Sequence, residues 1–149
     1  GAALEQRKPV LGICLGMQLM CAWSEEGNTD CLGIFEEKVR LFQPDEKDMQ
    51  AFKVPHMGWN QIQAASRRLS VARGLFKGIK SGSYFYFVHS YYVKPLDEFQ
   101  TLIQTIYGDT RFCSGIQKGH IYGFQFHPER SGPTGLQIYK NLFTRINGG

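Results

Sequence analysis

The chain has 149 residues, 42% of them hydrophobic and 20% charged, which suits a single globular domain with an ordinary core. The formal net charge is +4, but no basic block alternates with aromatic residues, so we expect no nucleic-acid partner. No apolar run could cross a bilayer, and the stretch GAALEQRKPV lacks the layout of a secretion signal, which predicts a soluble, cytoplasmic protein without a membrane partner.

The first predicted element is a buried strand in PVLGI, residues 9–13, which is short, apolar and bounded by turn-forming residues. A helix is predicted after Cys14, because apolar residues recur at helical spacing until Gly27 and Asn28 supply a stop. The apolar residues of this helix are Leu15, Leu19, Met20 and Trp23.

Further strands are predicted where β-branched and aromatic residues are frequent. IFEEKVRLF, residues 34–42, is predicted to be a half-exposed strand, and the aromatic residues 83–93 a central one. FQTLIQTIYG and FCSGIQKGHIYGFQFHPE are predicted to form strands joined by turns near residues 108–109 and 118–119.

A last helix is predicted over residues 134–145, with its apolar side chains on one face. These are Leu136, Tyr139, Leu142 and Phe143. No repeat, low-complexity tract or linker divides the chain, so residues 1–149 are expected to form one domain.

The cysteine pattern fits neither a zinc site nor a disulfide framework, so we expect no metal and no cofactor. Cys21 and Cys113 are expected to fill core space as free thiols.

GICLG matches a Gly-x-Cys-x-Gly form of the nucleophile elbow, a tight strand-to-helix turn that presents its central side chain over the end of a sheet. We expect Gly12 and Gly16 to permit the turn, since larger side chains there would collide with the strand and helix. The positive end of the following helix would stabilise a thiolate at Cys14, which predicts a nucleophile. These five residues alone are equally compatible with a small buried cysteine.

A thiol nucleophile needs a group that takes its proton, and the best candidate among the four histidines lies in GFQFHPERSG. A strand ending at Phe126 would present His127, and Glu129, two residues further along extended backbone, can reach the imidazole. Cys14, His127 and Glu129 then form a nucleophile, a base and an orienting carboxylate. Taken alone, the HPE string favours a polar surface turn.

GICLGMQ and GFQFHPE resemble motifs of the class I, or triad, glutamine amidotransferases, which hydrolyse glutamine with a Cys-His-Glu triad. VPHMGWN and YFVHSYY are similar to segments of the glutaminase subunits of imidazole glycerol phosphate synthases. The resemblance implies an α/β, flavodoxin-like fold with a mixed sheet, flanking helices and a nucleophile elbow. It also implies that residues 1–149 form an amidotransferase type-1 domain.

The resemblance implies that Cys14 attacks the carboxamide of glutamine, that ammonia leaves with a proton from His127, and that water hydrolyses the glutamyl thioester. Ammonia would then pass, sheltered from solvent, to a partner cyclase subunit of (β/α)8 barrel form. That subunit would make imidazole glycerol phosphate and an aminoimidazole carboxamide ribotide.

By the same resemblance, the Leu15 amide would donate to the developing oxyanion and Gln18 would contact the substrate. His89, Ser90 and Tyr91 would hold the head group of glutamine through backbone and hydroxyl contacts. Without the resemblance, Gln18 fits an exposed helix residue and Ser90 a hydroxyl at a strand end.

PHMGWN is predicted to be a loop near the interface between glutaminase and cyclase, with a tryptophan as its anchor. The candidate interface residues are His56, Met57, Gly58, Trp59 and Asn60. Trp59 also fits a core position, and His120, next to a glycine, is predicted to be only a turn residue.

The family pattern includes a β-α portion ahead of the first strand and a Pro-Gly loop that helps form the oxyanion hole. None of the six prolines of this chain is followed by glycine, so we expect an N-terminally incomplete domain that lacks its first strands. Losing one oxyanion donor costs on the order of 100-fold or more in rate. Two other functions stay open: a catalytically silent remnant that only binds a partner, and a cysteine hydrolase such as a peptidase.

Overall fold

The computed structural model describes residues 8–43, 53–65, 74–96 and 100–147. These residues form a nine-stranded sheet, here called the main sheet, and a separate two-stranded sheet. The strands are β1 (Val10–Ile13), β2 (Trp23–Ser24), β3 (Thr29–Asp30), β4 (Lys38–Leu41), β5 (His56–Gln61), β6 (Gln63–Ala64), β7 (Tyr84–His89), β8 (Tyr91–Lys94), β9 (Thr101–Tyr107), β10 (Thr110–Lys118) and β11 (Ile121–Phe124). The helices are α1 (Leu15–Leu19), a 3-10 helix (Pro128–Arg130) and α2 (Gly132–Asn147).

The main sheet mixes parallel and antiparallel pairs in the order β1-β11-β10-β8-β4-β2-β3, with β9 pairing with β10 and β6. The two-stranded sheet contains β5 and β7. Helices are few, and the mixed sheet confirms the predicted α/β class. Strands and turns between residues 101 and 124 also lie where the sequence predicts them.

The pairing of β1 with β11 positions the ends of two strands that are far apart in sequence. The two strands are parallel, with Val10 opposite Ile121 and Ile13 opposite Phe124. The Cys14 amide extends this ladder by donating to the Phe124 carbonyl at 2.7 Å. Because parallel strands end at the same edge of a sheet, the residues that follow Ile13 and Phe124 meet there.

The core consists of two groups of buried side chains. The larger is mainly aromatic and includes Phe85, Phe87, Phe112, Phe124 and Phe126. The smaller includes Cys21 and Cys113, both fully buried, which confirms the expectation that these two thiols fill core space.

The helix predicted after Cys14 is shorter than its apolar spacing suggests. It ends at Leu19, and Trp23 lies in β2 opposite Lys38 of β4. Leu15 and Leu19 are exposed, whereas Met17 is fully buried. The prediction of a helix that continues past Trp23 to Gly27 is therefore wrong, because strand pairing with β4 takes over after a single helical turn.

The single strand predicted over residues 83–93 is two strands in different sheets. The chain bends at Ser90, so that β7 pairs with β5 while β8 pairs with β4 and β10. The Ser90 carbonyl accepts a hydrogen bond from the Phe42 amide at 3.1 Å, which fixes the bend. The loop predicted for PHMGWN is also wrong, because this segment is β5, with Trp59 opposite Tyr86.

The last helix is longer than predicted and rotated relative to the predicted face. It spans Gly132–Asn147, with Ile138 fully buried and Leu142 packed against the core. Leu136 and Phe143 are instead exposed.

The elbow turn brings α1 back onto the end of β1. A Cβ added at Gly12 would lie 2.8 Å from the carbonyl carbon of Gly16, so the expected collision exists at Gly12. A Cβ added at Gly16 would meet no described atom within 4 Å, so the same expectation is wrong there.

Gly12→Ala is therefore expected to lower the free energy of unfolding by about 1–3 kcal/mol, the usual cost of overpacking. Gly16→Ala is the matched control, and it is expected to be neutral or slightly stabilising, since alanine favours helix by up to about 1 kcal/mol over glycine. Urea unfolding of both variants measures the difference. Equal losses would contradict this description of the turn.

Candidate active site

Cys14 sits in the strained backbone conformation that a nucleophile elbow requires. Its φ is 54° and its ψ is −107°, a combination that non-glycine residues rarely adopt. It follows β1 directly and precedes α1, so the sulfur stands at the edge where β1 and β11 end.

The Cys14 thiol is half-buried between a backbone acceptor and a side-chain donor. Its Sγ lies 3.8 Å from the Val88 carbonyl and 3.5 Å from Nε2 of Gln125. Burial raises the pKa of Cys14, and this effect outweighs the opposing hydrogen bonds from the Leu15 amide and Gln125. The amide at the start of α1 thus favours the thiolate, as expected, but the desolvation of the sulfur outweighs it. The thiol needs a base.

His127 lies just past the end of β11, with its backbone held from two sides. Its amide donates to the Tyr86 carbonyl of β7 at 2.9 Å, and its carbonyl accepts from the Ser131 hydroxyl at 2.6 Å. The Ser131 oxygen also accepts from the Tyr86 amide at 3.0 Å. The imidazole is thus attached to a rigid segment between β7 and α2.

The imidazole of His127 is oriented by Glu129. Nδ1 of His127 lies 2.7 Å from Oε1 of Glu129, and the Tyr139 hydroxyl donates to Oε2 of the same carboxylate at 3.3 Å. Because a carboxylate accepts, Nδ1 carries the proton of the neutral ring and Nε2 keeps its lone pair. This Nε2 is buried and makes no hydrogen bond with any described residue.

Glu129 remains ionised because its hydrogen bonds outweigh its desolvation. Partial burial raises the pKa of the carboxyl, while hydrogen bonds from its own amide, from His127 and from Tyr139 lower it below its usual value. The charge of Glu129 is also close enough to Cys14 to contribute to the raised pKa of the thiol. The three residues of the predicted triad therefore share one edge of the main sheet.

His56 and His89 form a buried pair behind this edge. They are 3% and 6% exposed, and Nδ1 of His56 lies 2.9 Å from Nε2 of His89. Nδ1 of His89 lies 2.7 Å from the Tyr91 carbonyl. Burial lowers the pKa of His56 to about 3 and that of His89 to about 4, so both rings are neutral at pH 7.

The other predicted substrate contacts are unevenly exposed. Gln18 is buried, and its Nε2 already donates to the Tyr91 carbonyl at 3.1 Å and to Oε1 of Gln125 at 3.0 Å. Its alternative prediction as an exposed helix residue is therefore wrong. The side chain of Leu15 is exposed, while Ser90 and Tyr91 are half-buried next to His89. Their contacts with glutamine stay predictions.

The five candidate interface residues divide between two faces of β5. Met57 and Trp59 are 63% and 56% exposed, so the core position considered for Trp59 is wrong. His56 points inward, and Asn60 donates to the Ile106 carbonyl at 3.0 Å. Gly58 lies between the two exposed side chains with φ at 127°, which favours glycine.

Sequence reasoning missed two residues of this site, Gln125 and Tyr139. Gln125 is fully buried and contacts the sulfur, although it lies in a run of aromatic residues. A polar residue alternating with Phe124 and Phe126 is the signal that could have identified it. Tyr139 carries no such signal, because its approach to Glu129 depends on the rotation of α2.

Comparison with known proteins agrees with this geometry. A family model described as "Glutamine amidotransferase class-I" matches residues 1–146. The chain belongs to the glutamine amidotransferase class-I family. Membership confirms the resemblance drawn from GICLGMQ and GFQFHPE.

Curated relatives within this amidotransferase family are similar over most of the chain. The imidazole glycerol phosphate synthase subunit HisH of Bacteroides fragilis is 51% identical over 138 residues, which are 93% of this chain and 64% of the relative. The subunit of the same name from Escherichia coli is 48% identical over 91% of this chain and 63% of its own length. The chain thus spans about 64% of the length of a relative that it matches.

Solved amidotransferase structures share the fold at low sequence identity. PurLQS from Thermotoga maritima has a TM-score of 0.66 at 15% identity, covering 97% of this chain and 65% of that one. The glutaminase domain of Trypanosoma brucei CTPS with bound acivicin has a TM-score of 0.59 at 15% identity, covering 95% and 62%. These similarities support the fold alone.

Two further observations apply to the described part of the chain. None of its helices combines the length and apolar character needed to span a bilayer. No three of its His, Cys, Asp or Glu side chains are grouped so that they could hold a metal ion.

The buried histidine pair predicts how stability depends on pH. Histidines of the unfolded chain bind protons near pH 6.5, whereas His56 and His89 stay neutral in the fold down to about pH 4. Below pH 6.5 the unfolded state therefore binds more protons, and the free energy of unfolding should fall by about 2 kcal/mol per histidine between pH 7 and pH 5.

Urea unfolding of the wild type and of His56→Gln at both pH values measures this loss. The free energy of unfolding of His56→Gln is expected to fall by less between pH 7 and pH 5, because the variant lacks one of the two buried histidines. An equal loss in the two proteins would show that other groups control the pH dependence.

Proposed function

We propose that this chain is the glutaminase part of an imidazole glycerol phosphate synthase, which hydrolyses L-glutamine to glutamate and ammonia. The observation that carries the proposal is the position of Cys14, at positive φ, at the sheet edge where β1 and β11 end, together with the His127 imidazole past β11, which a carboxylate orients at 2.7 Å. Similarity to HisH subunits supports the choice of this amidotransferase over others of the family.

The first half of the reaction begins from a neutral thiol. His127 takes the Cys14 proton at Nε2, and the sulfur attacks the carboxamide carbon of glutamine. The Leu15 amide, which already donates toward the sulfur, would donate to the developing oxyanion. The imidazolium then gives its proton to the leaving nitrogen, and ammonia departs from a glutamyl thioester.

The second half returns the enzyme to its starting state. With His127 neutral again, Nε2 takes a proton from water, and the hydroxide attacks the thioester carbon. The proton then passes to the Cys14 sulfur as the carbon-sulfur bond breaks and glutamate leaves. Glu129 stabilises the imidazolium in both halves, and Tyr139 holds the carboxylate in place.

The proposed partner is a cyclase subunit of (β/α)8 barrel form, which would receive the ammonia and make imidazole glycerol phosphate and an aminoimidazole carboxamide ribotide. The exposed face of β5 is the proposed contact, because Met57 and Trp59 present a large apolar area to solvent. The ring of Tyr86 packs edge-on against that of Trp59, with 6.1 Å between the ring centroids. The guanidinium carbon of Arg130, the residue after Glu129, lies 4.3 Å from the centroid of the Tyr86 ring. This face is therefore continuous with the triad.

The cytoplasmic location stays a prediction.

Glutamate release from glutamine, measured with and without a cyclase subunit from a related synthase, tests the proposed reaction. Turnover is expected to rise with the cyclase and to vanish in Cys14→Ala, because the variant lacks the proposed nucleophile. Cyclase binding without any glutamate release would instead favour a catalytically silent remnant.

Glu129→Gln tests the orienting carboxylate in the same assay. Turnover should fall by about two to four orders of magnitude, since the amide can favour the wrong tautomer and cannot stabilise imidazolium. Cyclase affinity should be unchanged. If affinity fell while turnover persisted, Glu129 would be an interface residue.

Trp59→Ala tests the proposed contact face. Cyclase affinity is expected to fall by more than about fivefold, the effect of losing a central aromatic anchor. Leu136→Ala is the control, because Leu136 is similarly exposed, at 52%, but lies on α2. Similar losses in both variants, or in neither, would argue against β5 as the contact. Thermal unfolding of both variants checks that the fold is kept.

A further inference from the structure

A continuous chain of hydrogen bonds runs from β5 to the Cys14 sulfur, and most of it is buried. We call it the amide-imidazole chain. Its members, in order, are the side chains of Asn60, His56 and His89, the Tyr91 carbonyl, and the side chains of Gln18, Gln125 and Cys14. The Tyr91 carbonyl accepts from both sides, so it fixes the direction of every other bond.

On the histidine side, the direction follows from one acceptor. A carbonyl only accepts, so Nδ1 of His89 must donate to Tyr91, which leaves Nε2 of the neutral ring as an acceptor. Nδ1 of His56 must therefore donate to this Nε2, and Nε2 of His56 becomes an acceptor in turn. Nδ2 of Asn60 lies 3.2 Å from it and donates.

The amide of Asn60 is oriented independently, which supports this assignment. Its Nδ2 also donates to the Ile106 carbonyl at 3.0 Å, and its Oδ1 accepts from the Gln61 amide at 2.7 Å. If the nitrogen and oxygen of the Asn60 amide were exchanged, its oxygen would face the Ile106 carbonyl oxygen and its NH2 group would face the Gln61 amide. The structure therefore fixes both ends of the histidine pair.

On the glutamine side, the same carbonyl sets the orientation of two buried amides. Nε2 of Gln18 donates to Tyr91 at 3.1 Å and to Oε1 of Gln125 at 3.0 Å. With its oxygen held by Gln18, Gln125 can present only Nε2 to Cys14, at 3.5 Å from the sulfur. Gln125 is fully buried and Gln18 is 5% exposed, so solvent does not compete for these donors.

We propose that Gln125 is a further catalytic residue, whose amide stabilises the Cys14 thiolate when His127 takes the proton. Gln18 and the His56–His89 pair are positioning residues, which hold that amide with its nitrogen toward the sulfur. This inference deepens the proposed glutaminase reaction and rests on Cys14 being its nucleophile.

Few other groups near the Cys14 sulfur could stabilise its thiolate in place of Gln125. Of the titratable groups near it, Glu129 acts on the thiol through its charge, His127 is hydrogen-bonded to Glu129, and His89 lies behind the Tyr91 carbonyl. Glu129 acts in the opposite direction, since its negative charge disfavours a thiolate. The Val88 carbonyl accepts only from the protonated thiol. Gln125 and the Leu15 amide are thus the uncharged donors to the sulfur among the described residues.

The test measures the rate at which iodoacetamide alkylates Cys14 as a function of pH, with peptide mapping to separate it from the other cysteines. In Gln125→Leu, the midpoint of this profile is expected to rise by about one pH unit, the effect of losing one hydrogen bond to a charged group. In Gln18→Leu, the midpoint is expected to rise by less, because Gln125 can still donate to the sulfur but loses the hydrogen bond from Gln18 that orients its amide.

Gln117→Leu is the matched control. Gln117 lies on β10 and donates to the Gly119 carbonyl at 2.8 Å, away from the sulfur, so the midpoint should not move. A Gln125→Leu variant that unfolds like the wild type yet keeps the wild-type midpoint would overturn the proposal.

A second measurement needs no variant at position 125. In wild-type protein with ¹⁵N-labelled histidines, NMR at pH 7 should show His56 and His89 both neutral and both protonated at Nδ1. His120→Gln and His127→Gln assign the remaining two rings. An Nε2 proton on either ring of the pair, or a charged ring, would overturn the fixed direction of the chain.

Failure of this inference can be distinguished from failure of the glutaminase proposal, because alkylation requires no glutamine turnover. If Cys14 alkylates as expected in all variants but the chain with its cyclase releases no glutamate, the reaction is wrong and the donor role of Gln125 stands. If glutamate is released and the Gln125→Leu profile matches the wild type, only the role of Gln125 is wrong.

Discussion

The parallel pairing of β1 with β11 is the constraint on which the candidate active site depends. It aligns Ile13 with Phe124 and so brings the residues after both strands to one edge. Glycine at two positions lets α1 approach this pair closely, since a Cβ at Gly123 would lie 2.8 Å from Cγ of Met17 and one at Gly12 would meet Gly16. Without this pairing, a cysteine near one end of the chain and a histidine near the other would not lie at the same sheet edge.

Burial then sets the resting charge state of the site. The same loss of solvent raises the pKa of the Cys14 thiol and lowers those of His56 and His89. The site therefore rests with a neutral Cys14 thiol, a neutral His56–His89 pair and an ionised Glu129. In the proposed reaction, the thiolate forms when Nε2 of His127 takes the proton of Cys14.

The sequence predicted those features that depend on local chemistry. The glycine and cysteine pattern of the elbow and the two-residue spacing of His127 and Glu129 each require only neighbouring residues. Features set by distant partners were not predictable: α1 stops because β2 pairs with β4, and the chain bends at Ser90 because its two halves join different sheets. The position of Gln125 between Phe124 and Phe126 marks it as unusual, but its role was missed because its partners Gln18 and Cys14 are more than a hundred residues away.

The most direct test of the central claim is whether positions 14 and 127 lie next to each other. A His127→Cys variant in a Cys31→Ser background, treated with a methylene-length thiol cross-linker, would be digested and mapped by mass spectrometry. The account predicts that the cysteine introduced at position 127 is joined to Cys14. A cross-link from position 127 to Cys21 or Cys113, with Cys14 left free in a folded protein, would contradict it.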